Sequence, residues 1–318
     1  MAIFPNDTPY SGKDYSSDGT TGFIPEIWSG KLQVKFYKTT VLSEITNNDW
    51  EGEIKGHGDK VIIRKTPDIT VLDYKRGMTL ATEIPNNTTI DLVIDKGKYF
   101  NVIVDDVNEV QSDLHLMDMF TSDAAEQMKI KIDEMVLAGV VTLADAANLG
   151  DTAGKISDSL NLGKTGAAVK IVNTVPTAGQ STPVDFILAM GLCLDEQNVP
   201  ETGRWIVIPA WMGMMLKQSD LKAAYLTGDS VSPLRNGKIG MVDRFTVYVS
   251  NNLPTATDTG TKHYCLAGTR DAISFASQIT KVETLRAQTT FGNLVRGLNV
   301  FGYEVTSPES LVVGYVNK

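Results

Sequence analysis

Thr88-Thr89-Ile90-Asp91-Leu92-Val93-Ile94-Asp95, then Lys96-Gly97, then Tyr99-Phe100-Asn101-Val102-Ile103-Val104, is the stretch that sets the fold. Its two arms partly alternate apolar and polar residues, the period of a strand whose side chains point to opposite faces. With Lys96-Gly97 as the turn, the pattern reads as a β-hairpin. Ten residues later the rhythm changes. Leu114, Met117, Phe120, Ala124, Met128, Ile132, Met135 and Gly139 recur every three or four positions, one stripe of an α-helix. Ser112 and Asp113 can cap its start. Asp118, Asp123 and Glu126 precede Lys129 and Lys131, in the sense the helix dipole favours. A helix over 112–140 would be roughly 40 Å long, a rod that spans a domain.

Upstream, Val61-Ile62-Ile63 is a short apolar run ended by Pro67, and Pro67 to Pro85 reads as mostly polar: Asp68, Thr70, Asp73, Tyr74, Lys75, Arg76, Thr79, Thr82, Glu83. Residues 60–106 thus form a long two-stranded excursion with little core of its own. An isolated ribbon is marginal in water, so it must rest on something. Trp28 to Ile45 fits a short helix or strands equally. Residues 1–22 have almost no aliphatic content and read as an arm that a neighbour must hold.

Downstream, residues 148–183 read as loops with short strands. Thr182-Pro183-Val184-Asp185 is a capping box with proline at the first helical position, opening a helix to about Asn198 that stops at Pro200. Arg204–Ile208 is a buried strand, and Pro209 opens a short helix through Leu216. Phe245–Val249 and His263–Ala267 are strands, and two β-like stretches flank Ser307-Pro308-Glu309. Helices and strands alternate irregularly, which argues an α+β fold with antiparallel pairing. There is no fixed-period repeat.

Length and composition fit this reading. At 318 residues a real core can be buried without staples. The net charge is -9, and 105–145 carries ten acids against Lys129 and Lys131. Such a chain has little counterion-release affinity for nucleic acid, although an acidic face suits a surface that lies near DNA without sticking to it. Cys193 and Cys265 both sit in apolar runs, so no disulfide framework is expected. The start shows no signal peptide, and the near-apolar run Trp205–Leu216 is too short for a bilayer.

Chemistry is sparse. His57, His115 and His263 are scattered; His263 and Cys265 share one side of a strand but are only two ligands. Gly163-Lys164-Thr165 lacks the first glycine of a phosphate loop, replaced by Asp158, and Gly56-His57-Gly58 lacks the third glycine of a dinucleotide fingerprint. Gly228-Asp229-Ser230 and Gly179-Gln180-Ser181 fail the nucleophile-elbow pattern. Trp211-Met212-Gly213-Met214-Met215-Leu216 reads as a buried helix rather than an adaptable binding surface. No catalytic residue, cofactor or metal is expected.

The order of elements, arm then β-excursion then long helix then α+β unit, resembles the major capsid proteins of tailed bacteriophages, the Hong Kong ninety-seven type fold. Three runs are similar to recurrent stretches of those proteins: Leu194-Asp195-Glu196-Gln197-Asn198-Val199-Pro200-Glu201-Thr202-Gly203-Arg204 continuing to Pro209, Gly240-Met241-Val242-Asp243-Arg244-Phe245 continuing to Pro254, and Ala267-Gly268-Thr269-Arg270-Asp271-Ala272-Ile273. The resemblance implies an N-terminal arm over 1–30 and a peripheral domain over 31–149, with an extended loop (60–99) and a spine helix (112–140). It further implies an axial domain over 150–270 and final strands, 271–318, returning to the periphery. Hexamers and pentamers of the chain would build an icosahedral shell around double-stranded DNA, in the host bacterial cytoplasm and then in the virion, with no membrane and no sequence-specific DNA contact. Structured sequence starts by about Phe23, so a separate scaffolding protein is expected, beside a portal and an optional decoration protein. Pro67, Asp73, Tyr74, Lys75, Arg76 and Glu83 are the expected subunit-interface residues. An encapsulin-like compartment, a tail-tube subunit and, more distantly, a hydrolase are the alternatives.

Overall fold

The computed structural model describes residues 37, 38, 40–50, 60–67, 69–85, 89–106, 116–219, 240–258, 260–288 and 290–318. The expected arm, the caps Ser112 and Asp113, His57, His115, Gly56-His57-Gly58 and Gly228-Asp229-Ser230 lie outside them. In chain order come a one-turn helix α1 (Leu42–Ile45), strands β1 (Lys60–Arg64), β2 (Thr89–Val93) and β3 (Lys96–Asp105), and the long helix α2 (Leu116–Val140). Then follow β4 (Val169–Ile171), β5 (Gln180–Ser181), α3 (Pro183–Glu196), β6 (Arg204–Ile208), α4 (Ala210–Gln218), β7 (Met241–Val242), β8 (Phe245–Val249), β9 (Thr255–Thr257) and β10 (Thr261–Thr269). The chain ends with β11 (Ile273–Arg286), β12 (Gly292–Val305) and β13 (Leu311–Asn317).

The larger sheet runs β5-β4-β13-β10-β6-β8-β7, with β9 added to β10. All five residues of β6 are buried, and they alternate between two cores. Ile206 and Ile208 face the core that Phe186, Ile187, Met190 and Leu194 of α3 share with Met212, Met215 and Leu216 of α4. Trp205 and Val207 face Ile132, Val136, Leu137 and Val140 of α2, with Val41 and Ile45 beside them. The sheet is therefore covered on both faces, which explains why its central strand reads as one apolar run. Thr182 caps α3 as its spacing requires: its hydroxyl accepts from Asp185 N (3.1 Å) and donates to Asp185 Oδ2 (2.7 Å), with Pro183 in the first turn.

Three expectations need correction. The pairing is not antiparallel throughout, because β13–β4, β4–β5 and β6–β8 are parallel. Strands β6 and β8 are separated by α4, and a crossover through a helix returns the chain in the same direction. The hairpin at Lys96-Gly97 does not form. Strand β2 pairs with β1 and β3 pairs with β12, over Gly292↔Asp105 to Phe301↔Lys96, so Lys96 and Gly97 are strand residues. The fourteen-residue edge of β12 offers β3 a full ten-residue ladder, more than the short arm of β2 can. The helical stripe holds only in the second half of α2: Met128, Ile132 and Met135 pack on the core and Gly139 meets Tyr303, but the buried face also takes in Asp133, Val136, Leu137 and Val140, and Phe120 is exposed.

The second sheet, β11-β12-β3, lies beside α2, and the two-stranded ribbon β1–β2 stands on it. The ribbon has a small foot: Ile63, Leu92 and Ile94 bury against Ala276, with Trp50, Val61, Ile90 and Val300 around them. Gly302 of β12 makes that seating possible, since a Cβ there would collide with the Val93 carbonyl. Of the last two strands, β12 belongs to this sheet, whereas β13 joins the larger one through β10 and β4.

Candidate assembly surface

Beyond the foot, the ribbon opens into a loop, and from Ile69 to Pro85 every described residue is exposed. Its arms are tied by Glu83, which accepts from Thr70 N (3.0 Å) and Thr70 Oγ1 (3.4 Å). Its tip is a turn in which Met78 N donates to Lys75 O (3.1 Å), and Gly77 at φ +85 supplies the left-handed residue it needs. Asp73, Tyr74 and Lys75 lie on the arm into that tip, Arg76 in the turn and Glu83 on the arm out, and Pro67 is half-buried at the base. The base itself is fixed by Lys60–Asp91 (3.0 Å) and Lys65–Glu309 (3.3 Å). The structure thus ties Glu83 to Thr70 and gathers Asp73, Tyr74, Lys75 and Arg76 at the tip, with Pro67 apart at the base.

The mostly polar reading of this loop is incomplete. Ile69, Val71, Leu72 and Tyr74 on one arm, and Met78, Leu80 and Ile84 on the other, are all exposed; Val71 is 93% and Ile84 89% exposed. Sequence carries that signal plainly, in seven large apolar side chains within sixteen residues, but charges dominate a count of polarity. Soluble monomers rarely present contiguous apolar surface of this kind unless another molecule covers it.

Two charged nodes hold the rest in place. Asp195, at the end of α3, receives Arg204 Nη1 (2.7 Å) and Arg244 Nη2 (2.6 Å), while Arg204 also donates to the Val199 (2.6 Å) and Pro200 (2.9 Å) carbonyls. Burial works against the Asp195 carboxylate, but the two arginines outweigh it and hold its pKa below the ordinary value. This node joins the Leu194–Pro209 run to the Gly240–Pro254 run, whose strands β6 and β8 lie side by side. The second node is Asp133, which accepts from Val41 N (3.1 Å), Leu42 N (3.2 Å) and Asn252 Nδ2 (2.6 Å). Burial is the dominant influence and raises its pKa. The only sequence hint was an acid inside an apolar helical stretch.

The remaining candidates are structural. Gly163, at φ +81, lies close under the Tyr315 carbonyl where a Cβ would collide, and Lys164 pairs with Asp151 (2.5 Å). His263 stacks at a tilt on Trp211, 6.0 Å between ring centres, and burial lowers its pKa. Burial pushes the Cys193 thiol up to about 12 and the Cys265 thiol further. Among the described residues no group of three or more His, Cys, Asp or Glu side chains is placed to hold a metal, and no helix is long and apolar enough to cross a membrane.

The family model described as phage capsid protein matches residues 87–314. The chain belongs to the phage capsid protein family. It is a capsid shell protein and a structural component of a virion. Its fold matches the structure of Mycobacterium phage Che8 with a TM-score of 0.72 and 29% identity, over 92% of this chain and 97% of that one. The capsid of cyanophage P-SCSP1u matches with a TM-score of 0.68 at 17% identity (93% and 94% covered), and the mature capsid of bacteriophage PhiM1 with 0.66 at 14% (98% and 99%). No curated protein sequence matches the chain. The loop tip, 67–85, precedes the span the family model covers.

Proposed function

We propose that this capsid protein is the major head subunit, assembling as hexamers and pentamers into an icosahedral shell around double-stranded DNA. The observation that carries the proposal is the loop at 69–85, anchored at its foot and stripped of its own core at its tip. An element built that way is completed only by another molecule, and in a shell that molecule is a second copy. Pro67, Asp73, Tyr74, Lys75, Arg76 and Glu83 are then interface residues together with the apolar side chains among them. The axial unit is the larger sheet with α3 and α4, and it includes β13; the peripheral unit is α2 with the β11-β12-β3 sheet and the loop. The chain does no chemistry of its own. A separate scaffolding protein, a portal and an optional decoration protein complete the assembly, which takes place in the host bacterial cytoplasm.

Electron microscopy of particles from cells producing the chain with its neighbouring virion genes tests this reading. Closed polyhedral shells whose main band is this chain are expected. Tubes, or a shell in which the chain is a minor band, overturn it.

A further inference from the structure

The β11-β12-β3 sheet ends in a bare edge. Strand β11 is its outer strand, and the start of that strand is covered by Asn47, whose N–H donates to Ile273 O (2.8 Å) and whose carbonyl accepts from Phe275 N (2.9 Å). Past the irregularity between Ser277 and Ile279 the inner side of β11 is laddered to β12, from Lys281↔Leu298 to Leu285↔Leu294. Among the described residues no strand pairs with the outer side of 281–285. Such an edge leaves alternate N–H and C=O groups facing outward, a template for another strand. One face of the sheet carries α2, which packs on β3 and β12 and leaves the β11 edge clear; the other is the open face on which the ribbon stands. Val282 is 56% exposed on the α2 side, opposite Gly297, and Leu285 is 42% exposed on the open side. Lys281 and Glu283 also look to the open side, where Glu283 meets Lys281 and, at 2.7 Å, Arg296 Nη2.

Resting on the shell reading above, we infer that the 281–285 edge pairs antiparallel with the same edge of a second copy, across a two-fold axis through Val282. The two sheets then run on as one. Native edges are normally blunted by proline, by lysine or by a covering segment. This stretch has no proline, its lysine stands two residues from a glutamate on the same face, and its cover stops short of it. The charges select the register. Cross-strand partners share a face, so the axis must pass through a whole residue. An axis at Lys281 sets two ammonium groups opposite each other, and an axis at Glu283 sets two carboxylates opposite; like charges so placed repel. An axis at Thr284 leaves Glu283 facing Leu285. The axis at Val282 alone puts Lys281 of each copy opposite Glu283 of the other, twice over, and brings the two exposed Val282 side chains together on the opposite face. A patch that is complementary to itself is what a two-fold contact requires.

A two-fold axis through one residue can be read with a single cysteine, because the native Cys193 and Cys265 are buried. Particles are purified from cells making the chain with Val282→Cys, and separately with Thr284→Cys. Cysteines at 282 would face each other across the seam at about 5 Å between Cα atoms, within disulfide reach, whereas those at 284 would stand about 14 Å apart. After mild oxidation at least half of the Val282→Cys chain is expected as a disulfide-linked dimer on a non-reducing gel, with the Thr284→Cys and parent chains monomeric. Adding Lys281→Glu to Val282→Cys should cut the dimer fraction or the particle yield at least threefold, and adding Lys281→Arg should not. Circular dichroism and thermal unfolding of the free subunits are expected to match the parent in every case, since these side chains are exposed. Particles in normal yield without a Val282→Cys dimer, equal dimer from Thr284→Cys, or indifference to Lys281→Glu overturn the inference and leave the shell reading standing. If the native chain forms no closed particles, the shell reading itself has failed.

Discussion

Asp133 joins three parts of the chain through neutral donors: the N–H groups that open α1, and the Asn252 side chain before β9. Removing its carboxylate strands those donors in a dry site, so Asp133→Ala should cost about 2–3 kcal/mol of stability, read as a fall in Tm. Asp133→Asn behaves differently. Its oxygen still accepts from the two backbone groups, and Asn252 meets the new amide by turning its own around. The sign of the pH effect follows from burial. The folded-state pKa is raised above 3.8, so the folded protein holds the proton more tightly and this group's contribution to stability falls as pH rises through the folded value. The Tm difference between Asp133→Asn and the parent should therefore move in the variant's favour from pH 4 to pH 7, in paired thermal melts. A difference independent of pH would show that Asp133 does not titrate in that window. The thiols are a second case: with Cys193 pushed up to about 12 and Cys265 higher, both should resist alkylation at pH 8 until denaturant is added, as mass spectrometry would reveal.

Elements were legible where one local rule governed them. The α3 start needs only Thr182, Pro183 and Asp185 in sequence, and the structure forms that cap. The β6 strand needs only its apolar run. Pairing was illegible, because a strand's partner is chosen by which edge offers the longer ladder: Lys96-Gly97 looks like a turn until β12 supplies one. The helix face was partly illegible for a related reason. The N-terminal half of α2 has little core to meet, so its apolar residues carry no weight in setting the buried side, and Asp133 on that side contradicts polarity alone. Gly302 shows how such tertiary demands appear in the sequence. Its backbone is not left-handed, so its lack of a side chain serves space: β2 crosses β12 there. Gly302→Ala should cost about 1–3 kcal/mol by overpacking and loosen the ribbon's foot, measured as faster amide exchange in β1 and β2. Gly97→Ala is the control, since the nearest atom to its Cβ would be Asn299 O at 3.9 Å, and its Tm should match the parent.

At the scale of the molecule, two cores and a ribbon foot close on themselves, and the loop and the open sheet face do not. The family was legible from the order of elements and from three runs, two of which the structure shows locked together at Asp195; the chemistry of the contact was not, because polar residues in a loop attract the eye. Magnitudes decide which kind of side chain drives it. A fully buried Leu, Ile or Val is worth about 1.5–3 kcal/mol, whereas an exposed ion pair is worth about 0–1 kcal/mol. Charges at the tip then set register more than strength. The two roles separate by mutation. Val71→Asp with Leu80→Asp removes burial from both arms and should abolish shells, leaving folded subunits with parental circular dichroism and Tm. Lys75→Glu with Arg76→Glu reverses the tip and should leave subunits that still associate but close into aberrant or undersized particles, because one wrong contact is repeated at every copy. Salt gives the same division without mutation. Raising ionic strength from about 0.05 to 0.5 M shrinks the screening length several-fold, which weakens ionic contacts and leaves apolar ones intact. Apolar burial also weakens on cooling. Assembly followed by light scattering should therefore persist at high salt and slow in the cold. Loss of assembly at high salt, with the charge-reversed protein affected more than the Val71→Asp and Leu80→Asp protein, would assign the contact to its ion pairs instead.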